Sequence, residues 1–209
     1  MKPIFKTLTQ IPKWIYIILF GLVLFLPFLG TFELTAITEG EYSGVAREMV
    51  QRHDWISPFF NQHFWADKPP LHLWLLALSG ILGGWSEFSL RLPGVFFAIG
   101  AGLLVYGIGK RFFSERIGFL GALIFFTSIE TVVASQIVLV DMPLTFFIVL
   151  AVYNFLKFFH DKKSRYIYGF FAACAGAVMT KGLIGLIIPV GDAVYAEKLS
   201  VFEGFCGGD

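Results

Sequence analysis

Polar and apolar stretches alternate along this chain at a spacing set by membrane thickness. Apolar runs occupy 14–32, 92–109, 117–135, 143–159 and 166–190. Each reaches about the ~17 residues a helix needs to cross a hydrocarbon core of ~30 Å. The pattern therefore predicts an all-α integral membrane protein with about five transmembrane helices. A further apolar run, 71–83, is shorter and stops at Gly83-Gly84. The cations fix its place. Lys2, Lys6 and Lys13 precede the first run, Lys110, Arg111 and Arg116 follow the second, and Lys157, Lys162, Lys163 and Arg165 follow the fourth. Clustered Lys and Arg stay cytoplasmic. These three groups share a side only if 71–83 does not cross, so it is predicted to lie as a short interfacial helix.

The polar stretch 33–70 is then an outer loop. Thr38-Glu39-Gly40-Glu41 has the spacing of a capping box, in which the threonine and the second glutamate satisfy free N–H groups at a helix start. Tyr42, Val45, Ala46, Met49 and Val50 follow at helical spacing. An amphipathic helix over 39–52 is expected, lying on the outer membrane surface with its stripe toward lipid. Pro69 and Pro70 bar Lys68 from a helix interior. Residues 191–209 lack a spanning run and are expected to form an irregular tail.

Composition strengthens the membrane reading. Of 209 residues 56% are hydrophobic and 15% charged, with 25 Phe and a mean hydropathy of +0.73; soluble domains carry roughly 25% charged residues. A net charge of +1 and the lack of a basic stripe give no argument for a nucleic-acid partner. Cys174 and Cys206 make no disulfide framework. His53, His63, His72 and His160 show no paired metal-ligand spacing and are read as interfacial or loop residues.

This topology brings Glu39, Asp67, Lys68, Arg91, Asp141 and Lys181, from five segments, to one membrane face. Ionisable groups at the mouth of a helical bundle are functional by default. Acids there can handle a proton or a metal, and cations can hold a phosphate. Lys181 interrupts an apolar run, where it must snorkel outward or pair with an acid.

Several short motifs occur in a fixed order: Glu41-Tyr42 with Ala46-Arg47-Glu48-Met49, Asp67-Lys68-Pro69-Pro70-Leu71, Ser89-Leu90-Arg91-Leu92-Pro93, Val140-Asp141-Met142-Pro143-Leu144 and Thr180-Lys181-Gly182. Together they resemble the N-terminal half of the family 39 glycosyltransferases. These GT-C-fold enzymes include the aminoarabinose transferase of lipid A and the protein O-mannosyltransferases. The resemblance implies transfer of a sugar from a polyprenyl-phosphate donor to a lipid A, glycan or protein acceptor, at the outer face of a bacterial inner membrane. The lysines before the first run, read the same way, give a multi-pass protein with its N-terminus cytoplasmic and its first large loop periplasmic or extracellular.

In the family, an acid at the start of the first-loop helix is the catalytic carboxylate, usually within an Asp-Glu pair. Here Thr38 holds the first position, so the role would fall to Glu39, with Asp141 as a second catalytic acid. Lys68 matches the lysine that contacts the lipid phosphate, aided by Arg91 and Lys181. Asp67 matches an acid that is a divalent-metal ligand in some members, its partner ligand lying beyond this chain. The likeness ends near Pro189, so the chain is expected to carry only the N-terminal part of such an enzyme. The alternative is a non-catalytic membrane subunit or transporter fragment whose outer charges grip lipid headgroups.

Overall fold

The long apolar runs fold as helices because a chain in hydrocarbon must satisfy its own backbone N–H and C=O groups. The structure, a computed structural model, describes residues 12–34 and 38–194. Lys2, Lys6 and the tail residues 195–209, with Cys206, lie outside them. The helices are α1 (Lys13–Phe25), α2 (Glu39–Arg52), α3 (Leu71–Gly83), α4 (Glu87–Phe112), α5 (Glu115–Thr127), α6 (Ile129–Ser135), α7 (Asp141–Asp161), α8 (Ser164–Lys181) and α9 (Ile184–Val194). A two-residue hairpin, β1 (Phe59–Phe60) paired antiparallel with β2 (His63–Phe64), interrupts the loop before α3.

Helices α4 and α7 are each long and apolar enough to cross a membrane. The expected span 117–135 is divided: α5 and α6 meet at a 63° bend. Ser128 sits at the break in extended conformation, and its N–H still closes α5 by donating to the Ile124 and Phe125 carbonyls. The expected span 14–32 is helical only to Phe25, after which the chain turns. The run 166–190 is two helices, because Gly182 takes a positive φ of 74° that ends α8. Helix α9 then continues through Gly191 to Val194, where an irregular tail was expected.

Glycine allows two helices to meet backbone to backbone. A Cβ on Gly109 of α4 would stand 2.4 Å from the Gly118 Cα of α5, so these backbones touch with nothing between them. Beside this contact Ile17, Phe25, Val95, Ala98 and Phe126 form the trunk core. Pro93 lies inside α4 and lacks the N–H that would bond the Ser89 carbonyl. The Ser79 hydroxyl of α3 donates to that carbonyl instead, and the Ser89 hydroxyl donates to the Gly83 carbonyl at 2.6 Å. The proline thus creates an acceptor that ties α3 to α4.

Helix α2 corrects two expectations. Tyr42, Val45, Ala46 and Met49 are buried against Leu73, Leu76 and Ala77 of α3 rather than turned to lipid. The apolar face of α3 is itself unpartnered until α2 covers it, and the two stripes meet. Nor does the capping box form: the Thr38 side chain makes no cap hydrogen bond, and Glu41 instead accepts from the Trp65 indole N–H at 2.6 Å.

The Gly109–Gly118 contact carries a prediction. Gly109→Ala should lower the thermal unfolding midpoint in detergent, since the neighbouring backbone cannot give way. Gly121→Ala, whose added Cβ meets only Val105 at 3.4 Å, should leave it unchanged or raise it, because alanine favours a helix over glycine by up to ~1 kcal/mol.

Candidate active site

Basic and mixed charges separate to opposite ends of the bundle. At one end Lys13 and Lys110 lie 3.7 and 3.2 Å from Glu115, and Arg111 pairs with Asp161 at 2.7 Å. At the other end α7 begins with Asp141, α8 ends with Lys181, and the chain enters α3 through Asp67-Lys68-Pro69-Pro70.

There Lys68 and Lys181 line one cleft of about 470 Å³, walled by Ile56, Pro58 and Phe64. Each lysine has its own carboxylate. Lys68 Nζ is 2.6 Å from Asp67 Oδ2, and Lys181 Nζ is 2.5 Å from Asp141 Oδ1. All four side chains keep solvent contact. The hydrogen bond to Asp67 holds the Lys68 ammonium above its usual pKa, so it stays charged at neutral pH. Asp54 shapes the approach: its Oδ1 accepts from Ile56 N–H and Ser57 N–H at 3.0 Å each, which holds its carboxyl below the usual range. Two half-exposed cations in one recess can bind a phosphate, and each has a carboxylate beside it to exchange for the incoming oxygens.

Glu39 and Arg91 lie elsewhere, at 1% and 4% exposure, in the wall of a separate recess of about 240 Å³. Arg91 Nε and Nη2 donate to the two Glu39 oxygens at 2.8 and 2.9 Å. Nη1 donates to the Leu29 and Phe32 carbonyls, and Nη2 also to Glu33 O. All five guanidinium N–H groups are thereby used, which leaves none for a phosphate. Glu39 Oε1 also accepts from Val138 N–H at 2.8 Å. This knot joins the end of α1, the start of α2, the start of α4 and the segment leading into α7.

The sequence reading gave Tyr42 a place in the α2 stripe and His72 an interfacial or loop position, and neither a part in a site. Both are buried, and their rings meet edge to face at 5.6 Å, with Trp65 on Tyr42 at 5.9 Å. Desolvation pushes the Tyr42 hydroxyl above its ordinary pKa. His72 is no loop residue: on α3 it is 3% exposed, and neither ring nitrogen has a hydrogen-bond partner. Burial lowers its pKa to about 4. The missed signal was periodicity, since His72 stands one turn from buried Leu76.

Among the described residues no three His, Cys, Asp or Glu side chains gather to hold a metal. Asp67, the expected ligand, has Lys68 at 2.6 Å. By themselves the described residues do not make a divalent-cation site.

The family model described as dolichyl-phosphate-mannose-protein mannosyltransferase matches residues 67–196. An uncharacterized protein of Aquifex aeolicus is 34% identical over 174 residues, covering 83% of this chain and 40% of its own length. The undecaprenyl phosphate-alpha-4-amino-4-deoxy-L-arabinose arabinosyl transferase of Pectobacterium atrosepticum is 29% identical over 190 residues, covering 88% of this chain and 34% of its own. The crystal structure of ArnT from Cupriavidus metallidurans bound to undecaprenyl phosphate has the same fold over 90% of this chain and 36% of that one, with a TM-score of 0.82 at 23% identity. The chain thus spans between a third and two fifths of the length of these relatives.

Two buried groups yield predictions. Arg91→Ala leaves the Glu39 carboxylate buried and unpaired, and should cost about 3–5 kcal/mol of stability in denaturant unfolding; adding Glu39→Ala should cost less than the sum of the two single changes. His72 binds a proton more weakly folded (about 4) than unfolded (~6.5). Stability is therefore complete above pH ~6.5 and falls as pH drops toward 4, by roughly 3 kcal/mol in all. His72→Phe should flatten that part of the stability profile.

Proposed function

Because the chain belongs to the dolichyl-phosphate-mannose-protein mannosyltransferase family, we propose that it carries the donor-phosphate cleft of a membrane glycosyltransferase. In this reading the donor is a polyprenyl-phosphate sugar and the acceptor a lipid A, glycan or protein hydroxyl or phosphate. The cleft opens at the outer face of a bacterial inner membrane, with α1, α4, the bent α5–α6 pair, α7 and α8 as its membrane segments. The observation that carries it is the meeting of Lys68 and Lys181 in one recess.

The chemistry follows from charge. An acceptor oxygen attacks the anomeric carbon, the bond from that carbon to the donor phosphate breaks, and the electron pair departs on polyprenyl phosphate. Charge on the phosphate rises as the bond breaks, and Lys68 and Lys181 stabilise it there. Asp141, on the Lys181 ammonium, is the carboxylate placed to take the acceptor's proton. Where the acceptor is an ionised phosphate, no base is needed.

Glu39 acts differently from the role its position in the sequence suggested. With both oxygens held by Arg91, it is a positioning residue: through Val138 N–H it fixes the segment that leads into Asp141. Arg91 likewise organises the site rather than binding phosphate.

Transfer of radiolabel from polyprenyl-phosphate sugars, in membranes from cells making the protein, tests this reading. Lys68→Ala and Lys181→Ala should each lower transfer about 100-fold or more, as loss of a charge-stabilising donor does in other enzymes. Asp141→Asn should abolish transfer to a hydroxyl acceptor. Normal turnover in both lysine variants would reject the cleft as the donor site.

A further inference from the structure

Helix α2 has a second face with a recess of its own. Gly40, Ser43, Gly44 and Arg47 recur at i, i+3, i+4 and i+7, and with Trp85 and Leu90 they line a space of about 220 Å³. Ser43 is 7% exposed, yet its hydroxyl has no hydrogen-bond partner. A buried hydroxyl left unpaired is costly, so its occurrence in a recess points to a ligand oxygen. Arg47 has no ion pair or hydrogen bond among the described residues; its guanidinium stands 5.8 Å from the centre of the Trp85 indole. Its neighbour Glu48 is engaged elsewhere, accepting from Asn61 N–H at 2.6 Å and lying 3.4 Å from Arg52. The recess therefore carries an uncompensated positive charge.

We propose that Ser43, Arg47 and Trp85 bind the phosphate headgroup of an anionic membrane lipid, at a site separate from the Lys68–Lys181 cleft. A guanidinium offers paired N–H donors that match phosphate oxygens, and the Ser43 hydroxyl supplies one more. The volume equals that of roughly seven waters, which accommodates a phosphate and the first atoms of its ester. The rest of the wall is apolar, from Leu34, Leu90 and the indole, and inorganic phosphate would leave it unused. A second, apolar groove of about 430 Å³, lined by Leu82, Gly83, Leu92, Pro93 and Phe96, runs along helices α3 and α4. The ring of Trp85 lies against Gly80 of α3, where a Cβ would stand 2.8 Å from it, so the indole is held in place. The inference stands on these residues and does not depend on the glycosyltransferase reading.

The test uses the full chain in phosphatidylcholine nanodiscs supplied with dioleoyl phosphatidate, read by native mass spectrometry and by the thermal unfolding midpoint. Phosphatidate should bind the wild type and raise its midpoint. Arg47→Met, an exposed change that keeps the apolar stem, should weaken binding about tenfold, the scale of a lost charge-assisted contact. Ser43→Ala should weaken binding about threefold while leaving the midpoint in pure phosphatidylcholine unchanged or higher, because it removes an unpaired buried group. Unaltered binding by Arg47→Met would overturn the proposal. So would weakened binding in Lys68→Ala alone, which would place the headgroup in the cleft, or equal stabilisation by inorganic phosphate, which would make the site one for the free ion. A lower midpoint for Ser43→Ala in neutral lipid would show the hydroxyl already satisfied within the protein, and would also overturn it.

Discussion

Everything at the cleft end of this protein hangs on one buried guanidinium. Arg91 gathers the Leu29, Phe32 and Glu33 carbonyls, which the turn after α1 leaves free, and closes on the carboxylate that begins α2. A carboxylate and a guanidinium taken out of water lose much hydration, and only complete hydrogen bonding offsets that loss. Here it is complete for the arginine. The turn after α1 is thus held by these hydrogen bonds as well as by Leu26 and Leu29, which pack on the trunk core, and Glu39 passes the constraint on to Val138 and the start of α7.

A division of labour between charges follows. The buried pair is neutral as a unit and has no donor to offer. The exposed pairs, Lys68 with Asp67 and Lys181 with Asp141, are held by single short contacts at the cleft wall. Such pairs contribute little to stability, and they can change partners when an anion arrives. Fixed charges build the frame, and exchangeable ones face the cleft.

Much of this was legible in the sequence. Hydrophobic periodicity located α2, α3, α4 and α7, because each buries one face or is apolar along most of its length. The side on which basic residues cluster placed Lys68, Asp141 and Lys181 together before any contact was known. What escaped were effects that depend on a partner distant in the chain. Thr38 and Glu41 have the spacing of a cap, but Trp65, 24 residues on, offers Glu41 a better donor. The α2 stripe reads equally well as lipid-facing or protein-facing, and only the matching stripe on α3 decides. Arg91 reads as a phosphate ligand until the carbonyls after α1 are seen to claim it. The ends of α5 and α8 turn on single residues, Ser128 and Gly182, inside runs whose average hydropathy hides them.

The Gly182 break has a consequence for the lysine before it. Ending α8 there puts Lys181 among the unpaired carbonyls at the negative pole of that helix, while Asp141 occupies the first turn and positive pole of α7. Each ion is thereby favoured by the peptide dipoles of its own helix. The antiparallel packing of the two helices sets this pair in register, so inserting a turn into α8 ahead of Lys181 would carry the ammonium past its counter-ion while each charge kept the field of its own helix.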